Sequence, residues 1–445
     1  MTQNHQITSY YPITSITARE ILDSRGNPTI ECTVTVQSKD KDYKKEISTK
    51  NKNKTSKFSG TASVPSGAST GKYEALELRD GGKRYDGLGV LKAIKNIETK
   101  IFPKLKGIEI TNQIKIDQIM IDLDNTPNKS NLGANAILAV SLACARTAAI
   151  SKNIPLYQYL NNLIKNNLLK EPKPKMSLPK PFFNILNGGR HAGGRLAFQE
   201  FMIVPQARTF HENLEIGSEI DHALKKILKE KYGPSSINVG DEGGFAPQLK
   251  TAEEALNLLQ YTLKKTKHSK NVRLAIDCAA SEFYDPKNKV YHIPKKLTSA
   301  ELLNYYLKLI KKYNLLSIED PFNEDDFITF AKLKQKSKIQ IVGDDLTVTN
   351  PQRIKKAIQE KSCNCLLLKV NQIGTLTEAL QAAQLARKAG WKIMVSHRSG
   401  ETDDFFIADL AVALGCGMIK AGAPNRGERL AKDNRLLEIE TEISK

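Results

Sequence analysis

The sequence predicts an α/β protein, a (β/α)8-like barrel preceded by an N-terminal α+β domain. Three observations carry this prediction. At 445 residues the chain exceeds one ordinary core, so two domains are expected. From Pro181 onward, strand-like apolar runs alternate with helical ones. Five successive apolar runs are closed by Asp277, Glu319, Asp344, Lys369 and His397, at steps of 42, 25, 25 and 28 residues. A strand, a helix and two loops need about that length. Strand ends share one face of a barrel, so these five side chains are expected in one pocket.

The elements follow in order. Residues 14–36 alternate as strand, turn, strand, with Gly26 and Pro28 as turn residues. Residues 38–57 carry eight lysines against three acids and almost nothing apolar, which predicts an exposed loop. A third strand leads into Val64-Pro-Ser-Gly-Ala-Ser-Thr-Gly71. Helical periodicity runs from about Val90 to Leu163. The Ala-rich stretch 134–150 contains Asn135 and Arg146, so it reads as a buried helix and not a membrane span. Residues 165–180, rich in Lys, Pro and Asn, read as a linker between domains at 1–164 and 181–445.

In the second domain, Thr251-Ala-Glu-Glu254 predicts a capping box. Ser299 is expected to cap a helix ending at Tyr313. Pro351 suits a first helical position, and Gly390 ends the helix from Thr375. The last strand is expected at 417–421. A parallel barrel is the most economical arrangement of these units.

Composition narrows the function. The net charge is +19, with 52 Lys and 15 Arg. The lysines are spread along the chain with no aromatic-interleaved basic groove, which favours a solvated basic surface over a nucleic-acid site. Nucleic-acid or surface binding is expected only as a secondary role. An anionic substrate still gains from the field. Six scattered cysteines form no repeated CxxC pair, and the N-terminus has no basic-then-apolar leader, so a cytoplasmic protein with reduced thiols is expected.

The chemistry lies at the strand ends. Asp277, Glu319 and Asp344 cannot be buried together without a cation, and an all-oxygen set suits Mg²⁺. Lys369 lies in an apolar run, where burial and a nearby cation lower its pKa and fit it as a base. Lys420 has the same setting, and two inward lysines beside a metal imply an anionic substrate. Arg398 and Ser399, at a helix start, can hold phosphate oxygens. Asp241 and Glu242 lie in the turn Gly240-Asp-Glu-Gly-Gly244, which by itself also reads as an ordinary acidic turn. His191 lies in the Gly-rich loop 188–194, and loops of this kind are often lids.

Taken with Asp23-Ser-Arg-Gly-Asn-Pro28, Leu186-Asn-Gly-Gly, Gln199-Glu-Phe-Met, Ser317-Ile-Glu-Asp-Pro-Phe322, Leu366-Leu-Leu-Lys-Val-Asn-Gln-Ile-Gly374 and Ser396-His-Arg-Ser-Gly-Glu-Thr402, these motifs resemble the enolase family, in order and over nearly the whole chain. The resemblance implies an enolase-type barrel whose first strands form a hairpin. It implies the interconversion of 2-phospho-D-glycerate with phosphoenolpyruvate and water. It makes Lys369 the base at C2 and Glu242, with Glu200 nearby, the acid at the C3 hydroxyl. Asp277, Glu319 and Asp344 hold a first Mg²⁺, and Ser69 takes part in a second Mg²⁺ site. Arg398 and Ser399 bind the substrate phosphate, and Lys420 offsets the intermediate's charge. His191 and Gln199 contact substrate, and His397 lines the site. A homodimer or higher homo-oligomer is implied.

Three features depart from the family pattern. The segment 38–57 is longer than the family's short hairpin. Ala421 stands where Thr is usual. Glu438 stands where an arginine is expected to pair across the dimer with Glu31, while Arg19 and Glu428 match the other cross-subunit pair. Related racemases and cycloisomerases share the strand-end acids but lack the Ser66–Gly71 and His397–Gly400 loops.

The lysine-rich segment is predicted to be dispensable. Replacing 38–57 by a Gly-Asn turn is expected to leave metal-dependent turnover within about two-fold, because a solvated loop on a hairpin costs little to shorten. A hundredfold loss in a folded variant would show that the segment supports the Ser69 loop.

Overall fold

The computed structural model describes residues 10–38, 56–68, 71–164, 174–192 and 194–444. Strands β1 (Ile13–Leu22), β2 (Pro28–Gln37) and β3 (Lys57–Ser63) form an antiparallel sheet. The hairpin β2–β3 pairs as far as Gln37 with Lys57, and most of the 38–57 segment lies outside the described residues. Helices α1 (Gln113–Asp124) and α2 (Ala134–Ser151) follow. By length and composition α2 could cross a membrane, but 89% of it is buried in the fold, as the Asn135 and Arg146 reading anticipated.

The barrel comprises β4 (Lys180–Asn187), β5 (Glu200–Pro205), β6 (Val272–Asp277), β7 (Ser317–Glu319), β8 (Gln340–Gly343), β9 (Cys365–Leu368), β10 (Lys392–Ser396) and β11 (Met418–Gly422). It closes in the order β7-β8-β9-β10-β11-β4-β5-β6. Its helices are α3 (Phe210–Tyr232), α4 (Ala252–Lys265), α5 (Ser299–Tyr313), α6 (Phe327–Ser337), α7 (Pro351–Gln359), α8 (Leu376–Lys388), α9 (Phe406–Leu414) and α10 (Gly427–Ile443). Phe182, Met202, Val342, Leu367 and Met394 fill the interior between the strands.

The fully parallel reading is corrected. β5 runs antiparallel to both β4 and β6. Residues 188–199 join β4 to β5 as a Gly-rich loop with only a short turn at Gly189–His191, not the helix that a parallel crossover usually carries. The hairpin implied by the family resemblance is what forms.

Two caps also differ from expectation. Thr298, not Ser299, caps α5, in a full capping box with Glu301, because Thr298-x-x-Glu301 is the pair that can bond reciprocally. Ser299 instead donates to Asp326 at 3.0 Å. Thr251 Oγ1 accepts from the Glu254 N–H as expected, but Glu254 returns its bond to the Lys250 N–H. Asn350 caps α7 with Pro351 behind it, and Gly390 at φ +72° follows α8, both as expected.

The N-terminal helices cap a barrel helix. Asp117 of α1 accepts from the Thr377 N–H at 3.0 Å and its hydroxyl at 2.6 Å, and Ser141 of α2 accepts from the Leu376 N–H. These are the first N–H groups of α8, which have no partner inside the helix. Asp117 is fully buried. Its replacement by Ala strands those donors and is expected to cost roughly 1–3 kcal/mol, seen as a lower urea midpoint. An unchanged midpoint would mean that the docking does not depend on this cap.

Candidate active site

Register brings the charged residues to one level. β6 ends at Asp277 and β7 at Glu319, which are paired neighbours. Asp344, Lys369 and His397 each follow the last residue of β8, β9 and β10. Lys420 pairs with Ser396 across β11 and β10. Because β5 is reversed, its first residue, Glu200, pairs with Asp277 at the end of β6. Glu242 enters from the 240–244 turn, closed by the Gly240 N–H to Gly244 carbonyl bond at 2.8 Å.

One pocket is lined by Ala68, His191, Gln199, Glu200, Glu242, Asp277, Lys369, Ser396, His397, Arg398, Ser399 and Lys420. Ten of these twelve are site residues expected from the sequence. Glu319 and Asp344 adjoin the pocket through the two lysines. Ser69 lies outside the described residues.

The lysines hold the acids in place. Lys420 Nζ is 2.7 Å from Glu319, 3.0 Å from Asp277 and 3.0 Å from Glu200, all buried. Burial and these acids act oppositely on Lys420, and the acids prevail, so its pKa lies well above normal. Lys369 Nζ is 2.5 Å from Asp344 Oδ2. Burial, the largest single cause, lowers the Lys369 pKa, but Asp344 and Glu319 together outweigh it and the net shift is upward. The expected lowering is therefore corrected for the metal-free protein, where the ion pair with Asp344 dominates. Glu200 and Glu319 are pushed well above the carboxylate range, first by burial and then by Glu242 and Asp277 respectively.

The second acid behaves differently. Burial opposes ionisation of Glu242, but His397, His191 and Lys420 facing it outweigh burial and hold it well below its ordinary range. Asn184 Nδ2 donates to its Oε2 at 3.0 Å. His191 Nδ1 lies 3.6 Å from both Glu200 and Glu242. His397 is pushed down to about 4, mainly by burial. Arg429 donates to His397 Nδ1 at 2.7 Å, which leaves the hydrogen on Nε2, 3.2 Å from Glu242.

The donor set fits a hard cation. Glu319 Oε2 is buried without a hydrogen-bond partner, beside Asp277. A carboxylate oxygen left so is costly unless a cation meets it. Among the described residues, the groups whose ligand atoms all lie within 4.8 Å of one another are His191–Glu200–Glu242 and Asp320–Asp344–Asp345. Asp277, Glu319 and Asp344 are not so close together here, because Lys420 draws in the first two and Lys369 the third.

The N-terminal domain completes the site. The Ala68 N–H donates to Ser399 Oγ at 2.7 Å, and Ser66 and Gly400 exchange backbone bonds of 2.8 and 2.9 Å. A Cβ on Gly400 would lie 2.3 Å from Asp23 and 2.8 Å from the Ser66 carbonyl, so only glycine allows this approach. Ser24 donates to the Glu401 and Ser399 carbonyls, which gives the Asp23–Pro28 motif its place.

Several partners had no readable role in the sequence. Glu74 holds Arg398 through bonds of 2.8 and 3.1 Å. Gln372 donates to Asp344 at 2.9 Å. Asp320 accepts the N–H groups of Asp344 and Asp345. Only Asp320 and Asp345 carried a signal, as acids directly following strand-end acids.

Comparison with known proteins agrees with the geometry. The family profile "Enolase, N-terminal domain" matches residues 13–160, and "Enolase, C-terminal TIM barrel domain" matches 175–445. The chain is 53% identical to Enolase B of Dictyostelium discoideum over 97% of this chain and 95% of that protein. It is 53% identical to the enolase of Methanocaldococcus jannaschii and 51% to that of Methanopyrus kandleri, each over 97% of this chain and 96% of the relative.

His397 sets a pH dependence. Its folded pKa, about 4, lies below the unfolded value of about 6.5. The unfolded chain therefore binds the extra proton between these values. The stability is complete above pH ~6.5 and is lost as pH falls toward 4, by up to about 3 kcal/mol. Thermal midpoints should fall more steeply with acid in the wild type than in His397→Asn. Parallel curves would place the proton elsewhere.

Proposed function

We propose that in this chain, which belongs to the enolase family, Lys369 removes the C2 proton of 2-phospho-D-glycerate and Glu242 assists departure of the C3 hydroxyl. The chain is a phosphopyruvate hydratase, a lyase of glycolysis that acts on a phosphorylated small molecule with a metal cofactor. The observation that supports the division of roles is the single pocket lined by Lys369, Glu200, Glu242, Arg398, Ser399 and Lys420 from different elements.

A proton beside a carboxylate is weakly acidic, so the charge that develops must meet fixed positive groups. Lys420 is one such group. Lys369 must give up its proton and its bond to Asp344 before it accepts the C2 proton. Arg398 and Ser399 hold the substrate phosphate, and Gln199 and His191 contact substrate from β5 and its preceding loop. Glu200, whose carboxyl burial and Glu242 shift well upward, stands beside Glu242. Asp277, Glu319 and Asp344 would hold a first Mg²⁺ and Ser69 part of a second. When bound, these ions supply charge for the substrate carboxylate.

The domains divide as 1–164, the linker 165–180 and 181–445, which is supported by the barrel's first strand beginning at Lys180, the last linker residue. A cytoplasmic setting is supported by six free thiols. We also propose a homodimer or larger homo-oligomer. Glu31 is paired at 2.6 Å with Arg19, and Glu438 at 3.0 Å with Arg435, both within the chain.

Lys369→Ala should lower turnover by at least roughly 10²–10⁴-fold and stop exchange of the C2 proton with solvent deuterium. Glu242→Gln should keep the exchange and lose dehydration. Wild-type exchange in Lys369→Ala would remove Lys369 from the role of base. Excess chelator should abolish turnover and Asp344→Ala should weaken metal binding, whereas full activity in chelator contradicts the metal assignment.

A further inference from the structure

The barrel rim opposite the active site carries a crescent of lysines. Strands β6 to β10 run parallel and end at the site, so helices α4 to α8 bring their C-terminal turns to the far rim. The five helix-to-strand connections, residues 263–273, 307–317, 332–340, 355–365 and 386–393, contain 16 Lys, 2 Arg and one acid, Glu360. The whole chain has 67 basic against 48 acidic residues, so overall bias does not explain this ratio. Of those 16 lysines, 15 are exposed and only Lys334 is half-buried. Lysines that look scattered along the chain are gathered on one edge by the fold.

Helix dipoles account for part of this pattern, since cations are favoured in a last turn. They do not account for Lys267, Lys270, Lys338, Lys361 and Lys392, which stand beyond the helix ends. The other side of the same rim lacks this excess, because at the end of α10 Arg435 pairs with Glu438 and Glu442. The end of α10 carries Glu438, Glu440 and Glu442, and Glu440 accepts from the N–H groups of Phe210 and His211 at the start of α3.

We propose that this crescent docks a linear polyanion, the phosphate backbone of nucleic acid. A flat anionic membrane would meet the charge-balanced side as well as the basic one, whereas a rod can lie along the crescent alone. The connections hold no exposed aromatic ring, since Tyr313 and Trp391 are buried, so bases are not stacked. Binding is through phosphates, without sequence preference and strongly dependent on salt.

Fluorescence anisotropy of a labelled DNA duplex of about 30 base pairs tests this with the full chain. Binding should weaken at least tenfold between about 50 and 200 mM salt. The exposed set Lys265→Glu, Lys311→Glu, Lys336→Glu and Lys361→Glu should bind at least tenfold more weakly, with turnover unchanged as the check on folding. The same positions changed to Gln should show a smaller loss. Lys95→Glu, Lys104→Glu, Lys115→Glu and Lys152→Glu make the same charge change in the N-terminal domain and should stay within about two-fold. Three results would overturn the proposal: no duplex binding at low salt, equal loss in both Glu sets, or capture by phosphatidylserine vesicles without duplex binding.

Discussion

Lys420 is the group on which the site depends. Asp277, Glu319 and Glu200 are buried around its ammonium within 3.0 Å. Three carboxylates in so little water repel one another by far more than any packing gain, unless a cation stands among them. The register of β6, β7 and β11, and the reversal of β5, serve this grouping. Removing Lys420 would leave an uncompensated acidic core, so its place in the fold and in the chemistry cannot be separated.

The second constraint is contact between domains. The loop at 66–68 and the 23–28 motif bond directly to residues 399–401. The barrel thus supplies Arg398 and Ser399, while the N-terminal domain fixes the loop that carries them. Glu74 extends this by holding Arg398 from the same side. The barrel alone therefore has the charges but not the geometry of the phosphate end.

Much of this was legible in the chain. Asp277, Glu319, Asp344, Lys369 and His397 followed from apolar runs that each end in a polar residue. Glu200 did not, because a reversed strand presents its first residue at the site, and only the family resemblance found it. Glu74, Arg429 and Asn184 were not readable, since each acts on a side chain distant in sequence. The parallel barrel failed where the Gly-rich 188–199 connection forms a loop in place of a crossover helix. The expected low pKa of Lys369 failed because Asp344, the nearest carboxylate, replaces the cation's influence with its own.

The central claim is that burial and crowding raise the proton affinity of the acids around Lys420, so that a cation binding there competes with protons. Glu200 and Glu319 are shifted well upward by burial and by each other's neighbours. Calorimetric titration of the metal-free protein with Mg²⁺, in buffers of different ionisation enthalpy, reads that competition directly. The account predicts proton release on binding, larger near pH 6.5 than near pH 8.5. Tight binding with no proton released at either pH would contradict it.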